Sequence, residues 1–145
     1  GTLAELRAGK PVRKPILLKI SPDLTQQQID ETLEVVLAKG IDGIIATNTT
    51  TSRENLITSG EKIAAIGKGG LSGLPLRERS NQIIRYISQQ TAGKIPIIGA
   101  GGTMNREARQ TRGRSYSCAS VHWPDLLRTI HRKRHKSNAK SCLQL

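Results

Sequence analysis

Apolar and polar positions along the first hundred residues follow two patterns that alternate. Three short apolar runs, each bounded by proline or glycine, predict buried strands at residues 14–20, 41–47 and 95–98. Each run ends in polar or glycine positions, and the third leads directly into Gly99–Gly102. Such an ending is typical of a strand whose carboxyl end meets a loop that carries function.

Helical periodicity fills the intervals between these runs. Thr25 and Gln28 form a predicted capping box, and Gly40 ends the first helix. The second helix runs from Pro75 to about Gln90, and Gly93 closes it. The residues expected on the buried faces are Ile29, Leu33, Val36 and Leu37 in the first helix, and Leu76, Ser80, Ile83, Ile84 and Ile87 in the second. Residues 52–70 are polar and predict an irregular functional loop.

The order strand, helix, strand, helix, strand predicts parallel βαβ units with right-handed crossovers. It fits an α/β fold of either of two kinds, a partial (β/α)8 TIM barrel or a doubly wound sheet. The barrel is favoured because polar and glycine residues collect at the carboxyl ends of all three strands, which is the functional face of that fold.

Charge divides the chain near Thr103. Residues 1–102 hold 13 Lys and Arg against 9 Asp and Glu, whereas residues 103–145 hold 10 against 2. Two-thirds of the net charge of +12 therefore lies in less than a third of the chain. The sequence predicts a structured part at 1–107 and a basic, irregular and disordered tail at 108–145. The first part carries Tyr86 as its only aromatic residue, which is little for a self-sufficient core.

Other features bound the class of protein. The sequence contains no apolar run of the roughly 20 residues that cross a bilayer. The first residues lack the apolar region of a signal peptide and have the character of the interior of a longer chain. The two cysteines need not pair, so a reducing compartment is the default expectation. There is no metal-ligand spacing and no nucleophile elbow.

The candidate chemistry lies where the strands end. Lys19 in an apolar strand is either a cation at the solvated end or a charge directed at an anionic ligand or an electron-rich cofactor atom. The run Thr47–Thr50 offers an amide and hydroxyls that could read a planar heterocycle, or simply caps the strand through Asx and ST turns. The glycine clusters at 69–73 and 99–102 are each either tight turns or parts of a phosphate site.

Four segments together resemble the class 2, quinone-linked dihydroorotate dehydrogenases: KPILLKISPDLT, DGIIATNTT, GGLSGLPLRERS and KIPIIGAGG. The resemblance covers about residues 1–107, and Pro75-Leu76 after the glycine turn favours class 2 over class 1. It implies a fragment spanning about strands five to seven of the barrel. It also implies oxidation of dihydroorotate to orotate in pyrimidine biosynthesis, with FMN as cofactor and a quinone as acceptor.

The resemblance implies roles for individual residues. The FMN contacts would be Lys19, Thr47, Gly73, Gly101 and Gly102. Asn48 and Thr49 would bind the dihydroorotate or orotate ring. The family's catalytic serine and its membrane and quinone-tunnel helices belong to segments upstream of Gly1. The full-length enzyme would accordingly be membrane-associated through its N-terminal segment, and this chain alone would be soluble, poorly folded and inactive.

The tail departs from the family. Permitted codons for Gly113 to Thr129, read one base later, can give GAPIAVQVYTGLIYYGP, which resembles the family's eighth strand and its phosphate turn. We therefore hypothesise a frameshift near Ala108, natural or introduced by sequencing. Resequencing the gene tests this, and an uninterrupted frame with this tail detected by mass spectrometry would refute it.

Two alternatives remain open at this stage. One is another phosphate-binding flavin barrel with the same glycine turns. The other is a nucleic-acid-binding arm built from the basic side chains near the end of the tail, which would give sequence-independent, salt-sensitive affinity. Salt-resistant or sequence-selective binding in a filter assay would favour the arm. Those side chains are Arg128, His131, Arg132, Lys133, Arg134, His135 and Lys136.

Overall fold

The structure, a computed structural model, describes residues 14–102, the isolated positions 5 and 8, and the strand residues 116–117. Its centre is a parallel sheet with the strands in sequence order. The strands are β1 (Leu17–Ile20), β2 (Gly43–Ala46), β3 (Ile97–Gly99) and β4 (Tyr116–Ser117). The predicted parallel βαβ arrangement is confirmed, with each strand shorter than its apolar run.

Within residues 14–102, one helix lies between β1 and β2 and two lie between β2 and β3. They are α1 (Gln26–Ala38), α2 (Gly60–Ile66) and α3 (Arg77–Gln90), and a short 3-10 turn at Leu74–Leu76 leads into α3. The capping box is present: Gln28 N–H donates to Thr25 Oγ1 at 3.2 Å, and Thr25 N–H donates to Gln28 Oε1 at 2.9 Å. Helix α2 was not predicted, because it is only seven residues long and none of them is buried in the core.

The core forms where α1 and α3 cover the sheet. Every residue predicted for the buried face of α3 is buried, and so are three of the four predicted for α1. Leu37 is the exception, at 57% exposed, because it lies at the edge of the apolar stripe rather than facing the sheet. The core cluster is mostly isoleucine, and truncating one such fully buried side chain to alanine costs about 2–5 kcal/mol. Tyr86, the single aromatic residue of this part of the chain, packs against the cluster from its edge.

Tyr86 is half-buried against this core and joins the two long helices. Its hydroxyl donates a hydrogen bond of 2.5 Å to Asp30 Oδ1. That hydrogen bond is the main reason why the pKa of Tyr86 is raised above its usual value of 10.0. The contact therefore joins α1 to α3.

Two residues of the predicted irregular tail form β4. Ile98 pairs with Tyr116 and Gly99 with Ser117, in parallel register. No strand was predicted at this position, and pairing there covers the outer side of β3. The remainder of 103–145 lies outside the described residues, so the prediction of disorder there stays a prediction.

Asp42 and Gly43 fix the amino ends of the first two strands. Ile16 N–H donates to Asp42 Oδ2 at 2.9 Å, and Asp42 N–H donates to Ile16 O at 2.9 Å. A Cβ on Gly43 would lie 2.7 Å from Leu17 Cδ2 and 2.9 Å from Pro96 O. Only glycine fits between these neighbours.

We therefore expect Gly43→Ala to lower the free energy of unfolding by about 1–3 kcal/mol, because the added methyl group must displace Leu17 or the Pro96 carbonyl. Gly60→Ala is the matched control, since nothing lies within 4 Å of a Cβ there, and we expect it to be neutral or to stabilise by up to about 1 kcal/mol. Pulse proteolysis across a urea series measures both. Equal effects of the two substitutions would contradict the packing argument.

Candidate functional site

The carboxyl ends of β1, β2 and β3 lie side by side and define one edge of the sheet. Lys19 pairs in register with Ile45, one residue before the end of each strand. Its side chain is exposed, and within residues 14–102 the structure shows no ion pair or hydrogen bond to its ammonium. Lys19 is thus exposed near the end of β1, at the predicted functional edge, and both interpretations of its charge stay predictions.

Thr47 is anchored between β1 and β3. Its N–H donates to Ala100 O at 3.0 Å, and its hydroxyl donates to Asn48 O at 3.0 Å. The side chain is only 2% exposed, and the peptide bond joining Ala46 to Thr47 is cis. The next residue, Asn48, donates its N–H to Ile20 O at 2.8 Å. Backbone bonds to both neighbouring strand ends therefore fix the start of the Thr47–Thr50 run.

Asn48 and Thr49 are both exposed, so their polar side chains are accessible at this edge. Thr49 packs against the glycine cluster: a Cβ on Gly70 would overlap Thr49 Oγ1 and lie 2.7 Å from Thr49 Cβ. Gly70 is therefore required for this close approach. The two predicted substrate-binding residues are thus held by Ile20 at the end of β1 and by Gly70 in the glycine cluster.

Thr50 and Thr51 bind the carboxylate of Asp23, which follows β1. Thr50 Oγ1 donates to Asp23 Oδ1 at 2.5 Å. Thr51 donates twice to Asp23 Oδ2, from N–H at 2.8 Å and from its hydroxyl at 2.9 Å. Both carboxylate oxygens are engaged, and this interaction was missed at the sequence level.

The pKa of Asp23 reflects these contacts. Partial burial raises the pKa of the carboxyl, but the hydrogen bonds from Thr50 and Thr51, together with the charge of Arg79, lower it by more. The net pKa therefore lies below its usual value of 3.8, and the carboxylate is charged near neutral pH.

Arg79 on α3 holds the turn that carries Asp23. Its Nε donates to Pro22 O at 3.0 Å, and its Nη2 donates to Leu24 O at 2.8 Å. These two carbonyls flank Asp23, so the guanidinium brackets the residue from both sides. Arg79 was also missed, because nothing in its local sequence indicates a partner 57 residues away.

The glycine cluster at 69–73 is attached to the same loop. Thr50 and Leu71 exchange two backbone hydrogen bonds, of 2.9 Å and 2.7 Å, in an isolated antiparallel bridge. Gly73 has a φ of +91°, and nothing lies within 4 Å of the position where its Cβ would be. Gly73 therefore combines a backbone conformation that favours glycine with open space beside it.

The cluster at 99–102 packs on the start of α3. Gly101 and Gly102 have φ of +87° and +66°. A Cβ on Gly102 would lie 2.5 Å from Arg77 Cα, and one on Gly101 would lie 2.8 Å from Leu76 Cδ2 and 3.5 Å from Thr47 Oγ1. Ser80 Oγ also donates to Ala100 O at 2.7 Å. Both glycines are required here for conformation and for close packing.

The described part of the structure therefore brings Lys19, Thr47, Asn48 and Thr49 to one edge, with the two glycine clusters beside them. A cavity of about 610 Å³ lies elsewhere: it opens between the Pro22–Asp23 turn, the loop after Thr50 and the start of α3. None of the predicted site residues lines it. We place the candidate site at the strand ends, because the groups able to bind a charged or planar ligand converge there.

Two negative findings apply to the described residues. In this part of the chain, no cluster of three or more His, Cys, Asp or Glu side chains has the arrangement of a metal site. No helix within it is long and apolar enough to cross a membrane.

Comparison with known proteins identifies relatives of the chain. Residues 3–108 match the family model described as dihydroorotate dehydrogenase. The chain is 45% identical over 112 residues to a dihydroorotate dehydrogenase (quinone) of Arthrobacter sp. (strain FB24), covering 77% of this chain and 31% of that protein. It is 50% identical over 103 residues to one of Synechococcus sp. (strain JA-3-3Ab), covering 69% and 27%. The chain thus spans less than a third of these curated relatives.

Solved structures give the same result. A crystal structure of DHODH from Eimeria tenella in complex with ferulenol matches with a TM-score of 0.64 and 32% identity, over 72% of this chain and 28% of that one. A ligand-free DHODH from the same organism matches with a TM-score of 0.64 and 30% identity, over 84% and 34%. The fold is accordingly a segment of a TIM barrel, as predicted. These matches favour the dihydroorotate dehydrogenase reading over the two alternatives left open by the sequence.

The lowered pKa of Asp23 predicts how its contacts respond to acid. Its stabilising contribution is fully present above the unfolded-state pKa near 3.8, and it is lost as pH falls through the lower folded-state pKa. We expect the Thr51 amide proton resonance to shift with an inflection below pH 3.8 in an NMR titration of the chain. The Asp23→Asn variant, which lacks the titrating group, should show no such inflection, and an inflection in both proteins would contradict the assignment.

Proposed function

This chain belongs to the dihydroorotate dehydrogenase family, and we propose that it supplies part of the FMN and substrate site of a quinone-linked enzyme that oxidises dihydroorotate to orotate. The observation that carries the proposal is the convergence of Lys19, Thr47, Asn48 and Thr49 at the carboxyl edge of the sheet. Those residues belong to segments that match relatives named dihydroorotate dehydrogenase (quinone).

The residues at this edge fit an FMN. An exposed ammonium at Lys19 suits an electron-rich ring, and the Thr47 hydroxyl lies beside Gly101, where a side chain would fill the space. The positive φ of Gly101 and Gly102 turns the backbone after β3, and Gly73 leaves open space at a second turn. When bound, FMN supplies the acceptor for the hydride removed from the substrate. The protein supplies binding and orientation.

Asn48 and Thr49 are the proposed substrate contacts. Both are exposed beside the proposed FMN contacts, and together they offer an amide and a hydroxyl, which can donate and accept hydrogen bonds. The edges of a dihydroorotate ring present matching imide N–H and C=O groups. The two side chains would therefore orient the ring so that its hydride faces the acceptor.

The rest of the reaction requires the remainder of the enzyme. Quinone binding, membrane association and the catalytic base would belong to the portions of the protein that this chain does not span. The Pro75-Leu76 pair and the relatives named dihydroorotate dehydrogenase (quinone) support the class 2 assignment. No specific nucleic acid is part of the proposal.

We expect the purified 145-residue chain to bind much less than one FMN per chain and to show no turnover. The described sheet has four strands in a row rather than a closed ring, so ligand at its edge would be covered on one side only. Flavin absorbance after gel filtration measures the bound FMN. A stoichiometric flavin spectrum would contradict this expectation.

A chimera tests the function itself. In the chimera, called the completed enzyme below, residues 14–102 of this chain replace the matching segment of the Arthrobacter relative. We expect flavin binding and dihydroorotate oxidation, and we expect Lys19→Ala to lower kcat/KM by a factor on the order of 10², because the cation that faces the cofactor ring is lost. Lys39→Ala removes an exposed lysine at the end of α1 and is the matched control.

The proposal would be contradicted by a completed enzyme that binds flavin but does not oxidise dihydroorotate. Equal losses in the Lys19 and Lys39 variants would remove Lys19 from the site while leaving the proposed activity in place. Steady-state kinetics with a soluble quinone distinguish these outcomes.

A further inference from the structure

The loop that follows β2 is hydrogen-bonded to the carboxylate of Asp23. Asp23 accepts three hydrogen bonds from Thr50 and Thr51, which directly follow Asn48 and Thr49. The proposed reaction assigns no role to Asp23, Thr50 or Thr51. Their contacts nevertheless determine where the backbone goes immediately after the proposed substrate-binding pair.

The carboxylate itself has a fixed support. Arg79 donates to the carbonyls of Pro22 and Leu24, on either side of Asp23, and α3 carries Arg79 on a face adjacent to its buried core residues. On the other side of the loop, Leu71 exchanges two backbone hydrogen bonds with Thr50. The loop is thus clamped between the turn after β1 and the glycine cluster.

We propose that Asp23 is a positioning residue that holds Asn48 and Thr49 in their substrate-binding arrangement by fixing Thr50 and Thr51. The inference rests on the proposed function for the identity of the ligand. It goes beyond that function in assigning the loop's geometry to a residue that does not itself touch the ligand.

A conservative substitution isolates the charge of the carboxylate. Thr50 donates to Oδ1, and the Thr51 amide and hydroxyl both donate to Oδ2. In Asp23→Asn the oxygen can still accept from both Thr51 groups, and the NH2 group can donate to Thr50 Oγ1, because a hydroxyl both donates and accepts. The variant therefore keeps the size of the side chain and loses the negative charge that strengthens all three hydrogen bonds.

The test compares Asp23→Asn with Asp30→Asn in the completed enzyme. Asp30 is a matched control because it also accepts a short hydrogen bond, but from Tyr86 on α3 and not from the loop after β2. We expect Asp23→Asn to raise the KM for dihydroorotate about tenfold, because the three hydrogen bonds to the loop lose their charge assistance. Flavin content should stay within about twofold of the parent in both variants, and the KM of Asp30→Asn should do the same.

An unchanged KM in Asp23→Asn would overturn the proposal, and so would equal rises in the two variants, since the effect would then be general destabilisation. An inactive parent chimera would instead contradict the proposed function. In that case, hydrogen exchange of the peptide containing residues 48–52 in the 145-residue chain decides the matter. Faster exchange in Asp23→Asn than in Asp30→Asn supports the positioning role, and equal exchange overturns it.

Discussion

The carboxylate of Asp23 is the contact on which the arrangement of the candidate site depends. It lies where the turn after β1 meets the loop after β2, and it is bracketed by an arginine from α3. Asp23 is exposed, yet three donors from the loop after β2 hold both of its carboxylate oxygens. The loops after neighbouring strands consequently share one hydrogen-bond network, so their relative position is set by directional bonds rather than by loop length.

Hydrogen bonds also join the segments on which the family resemblance rests. Asp23 belongs to the SPDLT segment, Thr50 to TNTT, Leu71 to the glycine turn and Ser80 to the RERS segment at the start of α3. Each contacts another: Asp23 binds Thr50, Thr50 pairs with Leu71, and Ser80 binds the Ala100 carbonyl of the GAGG segment. Several motif residues that do not face a ligand are therefore accounted for by contacts among the motifs.

The sequence predicted what is decided locally. The capping box, the apolar face of α3 and the parallel order of the strands all follow from short-range patterns, and the structure contains each of them. Prediction failed where a distant partner decides the outcome. Arg79 and Asp23 belong to different elements, and their relation exists only once α3 packs beside the turn after β1. Helix α2 likewise buries no residue, so it has no buried apolar face from which it could be predicted.

A segment of a barrel can position the site residues that it carries, because their backbone is fixed by adjacent strands only. Thr47 is bonded to the residue after β3, and Asn48 is bonded to the last residue of β1, so the three strand ends fix one another. Ligand affinity has a wider requirement. The described sheet ends at β1, where Leu18 is 38% exposed, and an open edge neither encloses a ligand nor excludes water. The geometry of this part of the site is therefore local, whereas tight binding and catalysis depend on closure of the whole barrel.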